Sequence, residues 1–325
     1  KKPGLNVQNA VKESLIKKGD RLLLAVSGGP DSLSMLDLLD RIKNEYKLDI
    51  LVFHLNHKFR KKAVREAEFV KKFCESRNLQ IKVKDYDVPA YIKETGASPE
   101  EAARKIRLDL LVKEASSFNI KKVVIGHNKN DLVETIFLNM FRGTGLKGLS
   151  GIDPLSSYQK KQLVHPLLIF SRKDIRDYCN YRNLNPRQDP TNKQDKYTRN
   201  KIRLNILPYI EEEINPVVID KMAQMASILR EENNFIEKEV EQAAAQVIIK
   251  KEKEQYHLSL EKLKSISRVL RRRVFRKLIY ELKEIPIDLY YYHFREIEKL
   301  IINKASNKKL NLPGEMVFKK GYNKI

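Results

Sequence analysis

The chain of 325 residues is 42% apolar and 33% charged, which excludes a disordered or membrane-embedded composition and leaves room for two folded domains. Its 64 Lys and Arg against 42 Asp and Glu leave a net charge of +22, an excess that attracts polyanions such as nucleic acid. Only two cysteines occur, Cys74 and Cys179, in no CxxC pair, and no apolar run approaches the roughly 20 residues of a membrane span; cytoplasm is the expected location and no membrane is expected as a partner.

In chain order, RLLLAV (21–26) predicts a strand, and Leu33, Leu36, Leu39 and Ile42 then repeat at helical spacing. LDILVFHLNH (48–57) predicts a second strand, residues 61–77 a charged helix, and LQIKVKDYDV (79–88) a third strand. The helix predicted over 98–118 has a clear start, with Ser98 as N-cap, Pro99 at the first helical position and Glu101 completing a capping box. KKVVIGH (121–127) predicts a fourth strand, followed by a helix over about 130–141, a Gly-rich loop over 142–154, an apolar segment at 162–170 and a helix capped by Ser171. Residues 185–203 are polar, basic and rich in turn formers, as a functional loop would be. Beyond Pro208 the pattern changes to long helices, a short strand YHLSL, two further helices and a hairpin-like end. The alternation predicts an α/β fold with a doubly wound, mostly parallel sheet over 1–210, and a second, mainly helical domain over 211–325.

Ligands of such sheets sit beyond the carboxyl ends of the strands, which is where SGGPDS, HLNH and GHNKND fall. In SGGPDS, Gly28 and Gly29 let backbone N–H groups converge, the helix after Pro30 points its positive end at them, and Ser27 and Ser32 add hydroxyls. No lysine follows, so this is not a Walker A loop, and Asp31 would repel phosphate directly. A carboxylate there suits a magnesium ligand or the holder of a cation, whereas a plain helix cap would also explain it. His127 ends a strand on the same rim, and Asp131 and Glu134 lie one turn apart on one helix face. Arg104 and Arg107 are placed to neutralise transferring phosphate, and His57 and Arg60 also fall at the rim.

SGGPDS resembles the PP-loop of the N-type ATP pyrophosphatases. With HLNHKFR, EEAARKIRLDLL, HNKNDLVET before RGTGLKGLSGI, HPLL with Arg172, and DPTN…YTRNKIRLNILP, the chain is similar over roughly 20–210 to the tRNA(Ile)-lysidine synthase family. The family often carries an acidic pair where this chain has Asn130-Asp131. The resemblance implies that ATP adenylates the C2 oxygen of the wobble cytidine (C34) in tRNA(Ile) with a CAU anticodon. Free L-lysine then displaces AMP. It implies an ATP site of Ser27, Gly28, Gly29, Pro30, Asp31 and Ser32, with Mg²⁺ on Asp31, and catalytic roles for Asp31, Arg104, His127, Asp131 and Glu134. Arg142, Arg172, Arg199, Asn200 and Arg203 are expected to face tRNA, and the expectation leaves room for a homodimer. Long members carry a further C-terminal domain, so a short form or a truncated chain is expected here.

Overall fold

A computed structural model describes residues 15–56, 63–95, 99–187, 197–283, 289–303 and 307–325. Its core is a six-stranded sheet in the order β3-β2-β1-β4-β6-β5. The strands are β1 (Arg21–Ala25), β2 (Asp49–Asn56), β3 (Gln80–Asp85), β4 (Lys122–Ile125), β5 (Leu155–Tyr158) and β6 (Lys161–Val164). All neighbours pair in parallel except β5, which turns back antiparallel on β6. Leu22, Leu23 and Leu24 of β1 are fully buried, because a central parallel strand is covered on both faces and so reads as a continuous apolar run. In the register, Ala25 lies beside both Phe53 of β2 and Ile125 of β4, so the loops that follow these three strands open on one rim.

The crossovers are α1 (Pro30–Ile42), α2 (Ala63–Glu75), α3 (Val88–Thr95), α4 (Pro99–Ser117), α5 (Lys129–Phe141), α6 (Leu146–Leu149) and α7 (Arg172–Tyr181). α1 is tied to α7 through Asp37, buried at 1% exposure, which accepts from the Tyr178 hydroxyl at 2.6 Å, Arg182 Nε at 3.1 Å and Arg77 Nη2 at 3.2 Å. The network joins the middle of α1 to α7 and to the end of α2. After α8 (Thr198–Lys201) the chain makes one π-helical turn, Ile202–Ile206, then α9 (Leu207–Glu213) and the long α10 (Val218–Val247).

The strand expected at 79–88 stops at Asp85, and α3 begins at Val88 with the Asp87 carboxylate accepting from Ala90 N–H at 3.0 Å. The chain forms two compact units, up to Leu229 and from Arg230. The break is later than the 210/211 boundary read from composition, because Val218, Ile219 and Ala226 of α10 pack on α5. The second unit has its own core, with Val247, Leu263, Phe275, Leu278, Phe294 and Ile301 in it. It contains α11 (Leu260–Ser265), α12 (Arg268–Lys283) and α13 (Tyr291–Ile302), one helix more than expected, and the hairpins β7 (Ile248–Lys251) with β8 (Tyr256–Leu258) and β9 (Lys308–Leu312) with β10 (Met316–Lys320). Both cysteines are free and buried, and among the described residues no helix is long and apolar enough to cross a membrane.

Candidate active site

The loop between β1 and α1 is built around one hydroxyl. Ser32 Oγ accepts from the N–H groups of Ser27 and Gly28 at 3.2 Å each and donates to the Gly29 carbonyl at 3.1 Å. Ser27 Oγ lies 3.2 Å from the same atom. Gly28 has φ +87°, a conformation that favours glycine, and a Cβ there would press on the Val70 side chain at 3.2 Å. The result is a concave array of amides and hydroxyls at the positive end of α1, suited to an anion. Pro30 opens the helix at a position whose N–H would have no partner in any case. Gly126, one residue past β4, lets that strand close on the loop, since a Cβ there would sit 3.2 Å from the Asp31 carbonyl carbon.

Asp31 points from this loop to the start of α5. Its Oδ1 accepts from Asn128 Nδ2 at 2.7 Å. Loss of hydration and the Asp131 charge push its carboxyl up to about 6, against the pull of Asn128, Arg172 and Arg203. Asn128 is fully buried and caps α5, accepting from Asp131 N–H at 3.0 Å while the Asp131 carboxylate accepts from Asn128 N–H. One side chain therefore sets the helix start and orients the acid.

Asp131 and Glu134 are enclosed by arginines. Glu134, at 0% exposure, accepts from Arg172 Nη2 at 2.9 Å, Arg199 Nε at 2.8 Å, and Arg203 Nε and Nη2 at 2.7 Å each. Burial pushes its carboxyl up, but the hydrogen bonds and charges of Arg203, Arg199 and Arg172 outweigh that and bring it down to about 2. Asp131 Oδ1 takes weaker contacts from the same trio, at 3.2 Å from Arg203 and 3.5 Å from the other two. Arg172, Arg199 and Arg203, expected to face tRNA, are directed at two carboxylates within the fold. Asn130, the departure from the family's acidic pair, makes a contact of its own, in which its side-chain oxygen accepts from Arg172 N–H at 2.9 Å.

His127 lies on the same rim, half-buried, with its Nδ1 at 3.1 Å from Nδ1 of buried His165. Burial, together with the charges of Arg199, Arg107 and Arg104, pushes it down to about 3, so it acts as a neutral imidazole at pH 7. Burial, followed by His127, pushes His165 down to about 3 as well. Arg104 and Arg107, on α4, are exposed, and among the described residues neither has an ion-pair partner. Arg142 caps the C-terminus of α5 and is exposed, while Asn139 Nδ2 donates to Gly148 O at 2.8 Å and pins the Gly-rich loop beside it. Asn200 is half-buried on α8.

Sequence reading missed Asn128, His54 and His165 as site residues. The N-x-x-D spacing of a capping box was the available signal for Asn128. His54 sits in β2 and bonds through Nδ1 to the Val26 carbonyl at 2.8 Å, just before the loop; a histidine inside an apolar strand gives no such hint. His57, Arg60, the capping pair Ser98 and Glu101, and most of the basic loop (188–196) lie outside the described residues and side chains. Among the described residues no three His, Cys, Asp or Glu side chains gather as a metal cage.

Residues 4–210 match a family model described as a PP-loop domain, and residues 258–321 match one described as the TilS substrate binding domain. Among curated relatives, the tRNA(Ile)-lysidine synthase of Clostridioides difficile (strain 630) is 39% identical over 306 residues, covering 93% of this chain and 65% of that protein. That of Caldanaerobacter subterraneus subsp. tengcongensis is 36% identical over 97% of this chain and 66% of its own length. That of Thermotoga maritima is 32% identical over 95% of this chain and 77% of its own length. The chain thus spans slightly under two thirds of the first two relatives. Among solved structures, the U34-tRNA thiolase NcsA from Methanococcus maripaludis shares the fold at TM-score 0.57 and 17% identity, over 69% of this chain and 76% of that one.

Proposed function

The chain belongs to the tRNA(Ile)-lysidine synthase family, and from that premise we propose that it joins lysine to C2 of the wobble cytidine of tRNA(Ile) with a CAU anticodon, consuming ATP. The observation that carries this reading is the convergence, on one rim, of the Ser27–Ser32 amide array with the desolvated Asp31. The C2 oxygen of cytosine is a poor leaving group. It therefore attacks the α-phosphorus of ATP, and pyrophosphate departs. The lysine ε-amine then attacks C2, AMP leaves with the former carbonyl oxygen, and the amine gives up its excess protons.

Each residue has a part in this scheme. The Ser27–Ser32 loop receives the phosphates, with ligand oxygens replacing Ser32 Oγ as the acceptor of the loop amides. Arg104 and Arg107 neutralise charge on the α-phosphate, and neutral His127 orients it. Asp31 is the group for the amine, because a carboxyl near 6 accepts a proton readily at neutral pH. In the alternative role the same carboxylate would hold Mg²⁺, with substrate phosphates rather than an all-protein cage completing the site; the ion would supply charge neutralisation on the polyphosphate, and Asp31 would then stay ionised and not take the amine proton. Glu134 and its arginines act as a buried anchor, with Asp131 bridging that anchor to Asn128. For RNA, the exposed Arg142 is available in the first unit. The second offers Tyr290, Tyr291 and Tyr292, all more than half exposed, with Arg272 over the Tyr291 ring at 5.8 Å. Aromatic faces mixed with arginines suit single-stranded RNA.

Incubation with ATP, radiolabelled lysine and an unmodified tRNA(Ile) transcript is expected to leave label in the RNA only when C34 is present. Asp31→Asn is expected to lower the rate about 10²–10⁴-fold. Label that ignores C34, or full activity in the variant, overturns the reading.

A further inference from the structure

We propose that Arg187 is a further polyphosphate ligand, whose guanidinium grips the β- and γ-phosphates of ATP at the glycine edge of the Ser27–Ser32 loop and then holds pyrophosphate until release. The inference rests on the ATP reading above and adds a cation to the site.

Arg187 is remote from the loop in sequence but held against it in space. Its N–H donates to the Gly28 carbonyl at 2.9 Å, and a Cβ added to Gly29 would come within 4.0 Å of the Arg187 carbonyl oxygen. Its main chain therefore flanks both glycines. The guanidinium carbon lies 4.9 Å from the centre of the Phe69 ring on α2, and Phe69 and Val70 are the side chains that a Cβ on Gly28 would meet. The cation is thus parked on an aromatic face that borders the loop. Arg187 is exposed, and among the described residues it has no carboxylate partner, in contrast to Arg172, Arg199 and Arg203, whose charges are committed to Glu134 and Asp131.

The chemistry of the loop creates a place for this charge. SGGPDS has no lysine, so its amides and hydroxyls are neutral donors, and Asp31 adds an anion beside them. A triphosphate carries several negative charges, and its leaving pyrophosphate gains more as the α-phosphorus bond breaks. Arg104 and Arg107 act near His127 at the end of β4, which leaves the Gly28 edge to Arg187. A guanidinium on an aromatic face is held loosely enough to swing, and its planar fork matches two phosphate oxygens at once. Because the hydrogen bond to Gly28 is made by its main chain, the side chain can change without releasing the loop.

The test uses the full chain with Arg187→Gln, which removes the charge, and Arg187→Lys, which keeps it without the fork. Affinities for ATP, inorganic pyrophosphate and AMP are measured by titration calorimetry, and affinity for tRNA by filter binding without nucleotide. Arg187→Gln is expected to weaken ATP and pyrophosphate by roughly 10-fold or more, as loss of a charge-assisted bond does, while AMP and tRNA are unchanged and Arg187→Lys recovers part of the loss. Wild-type affinity for ATP and pyrophosphate in Arg187→Gln overturns the proposal. So does an equal loss of AMP, which would mean a role in loop shape, or a loss confined to tRNA. Failure of the wild-type chain to bind ATP or pyrophosphate overturns the nucleotide reading itself.

Discussion

Glu134 shows how much a buried carboxylate depends on what surrounds it. Two acids one turn apart on a helix can equally serve as a hook for lysine or as structure, and the three guanidiniums around Glu134 support the anchoring role proposed for it above. Its carboxyl lies near 2 in the fold and near the ordinary 4.5 once unfolded, so the unfolded chain takes up the proton first as pH falls. The stability it contributes is complete above about 4.5 and is lost as pH drops towards 2. Glu134→Gln leaves three half-buried arginines with only the weaker Asp131 contacts and is expected to cost about 3 kcal/mol at pH 7, read by urea denaturation. It should also flatten the acid limb of the stability profile between pH 4.5 and 2; an unchanged limb would remove Glu134 as the anchor. Asp31 has the opposite sign: with its carboxyl raised to about 6, stability is complete below the ordinary 3.8 and falls as pH rises through 6. Such a cost at working pH is what a reactive group carries. Asp31, His127, Asp131 and Glu134 are all legible as residue types at strand and helix ends. Their pairing is not, because Arg172, Arg199 and Arg203 come from 38, 65 and 69 positions away and no local spacing encodes that meeting.

Elements are readable where one physical signal dominates and are missed where two compete. β1 is an apolar run of full burial and α1 a clean helical stripe, so both stand out. The start of α3 reads as the end of the preceding strand because Pro89 follows Val88 directly; the Asp87 cap is the stop signal that settles it. β7 is hidden because Ile248 and Ile249 run straight on from α10, and its partner β8 is needed to make it a strand. At the element scale the decisive contact is the N-terminus of α5, where Asn128 caps the helix and donates to Asp31. Asn128→Ala is expected to cost about 1 kcal/mol through the lost cap. It should also move the Asp31 titration above about 6, because the bond that favours its charged form is gone. Carbon-13 detection of the Asp31 carboxyl through a pH series measures this directly. A titration that stays in place would separate the cap from the acid.

The whole chain carries two signals for where its first unit ends, and they disagree for a physical reason. Composition changes after Pro208, where loops and strands give way to long helices. Packing continues to Leu229, because Val218 and Ile219 join Val133 and Phe137 in one cluster, while Ala226 joins Leu132, Ile136 and Leu168 in another. Those clusters back the same α5 whose other side presents Asp131 and Glu134 to the arginines. A fragment of residues 1–210 therefore loses the cover of α5, whereas 1–229 keeps it. Each fully buried aliphatic side chain removed costs about 1.5–3 kcal/mol. Loss of Val218 and Ile219 together is then comparable with a large share of the roughly 5–15 kcal/mol that holds a domain folded. The longer fragment is expected to melt cooperatively and bind ATP as the full chain does. The shorter one is expected to melt at least several degrees lower, with ATP affinity falling in step as α5 loosens, measured by circular dichroism and calorimetry. Equal melting midpoints for the two fragments would mean that the start of α10 contributes nothing to the site.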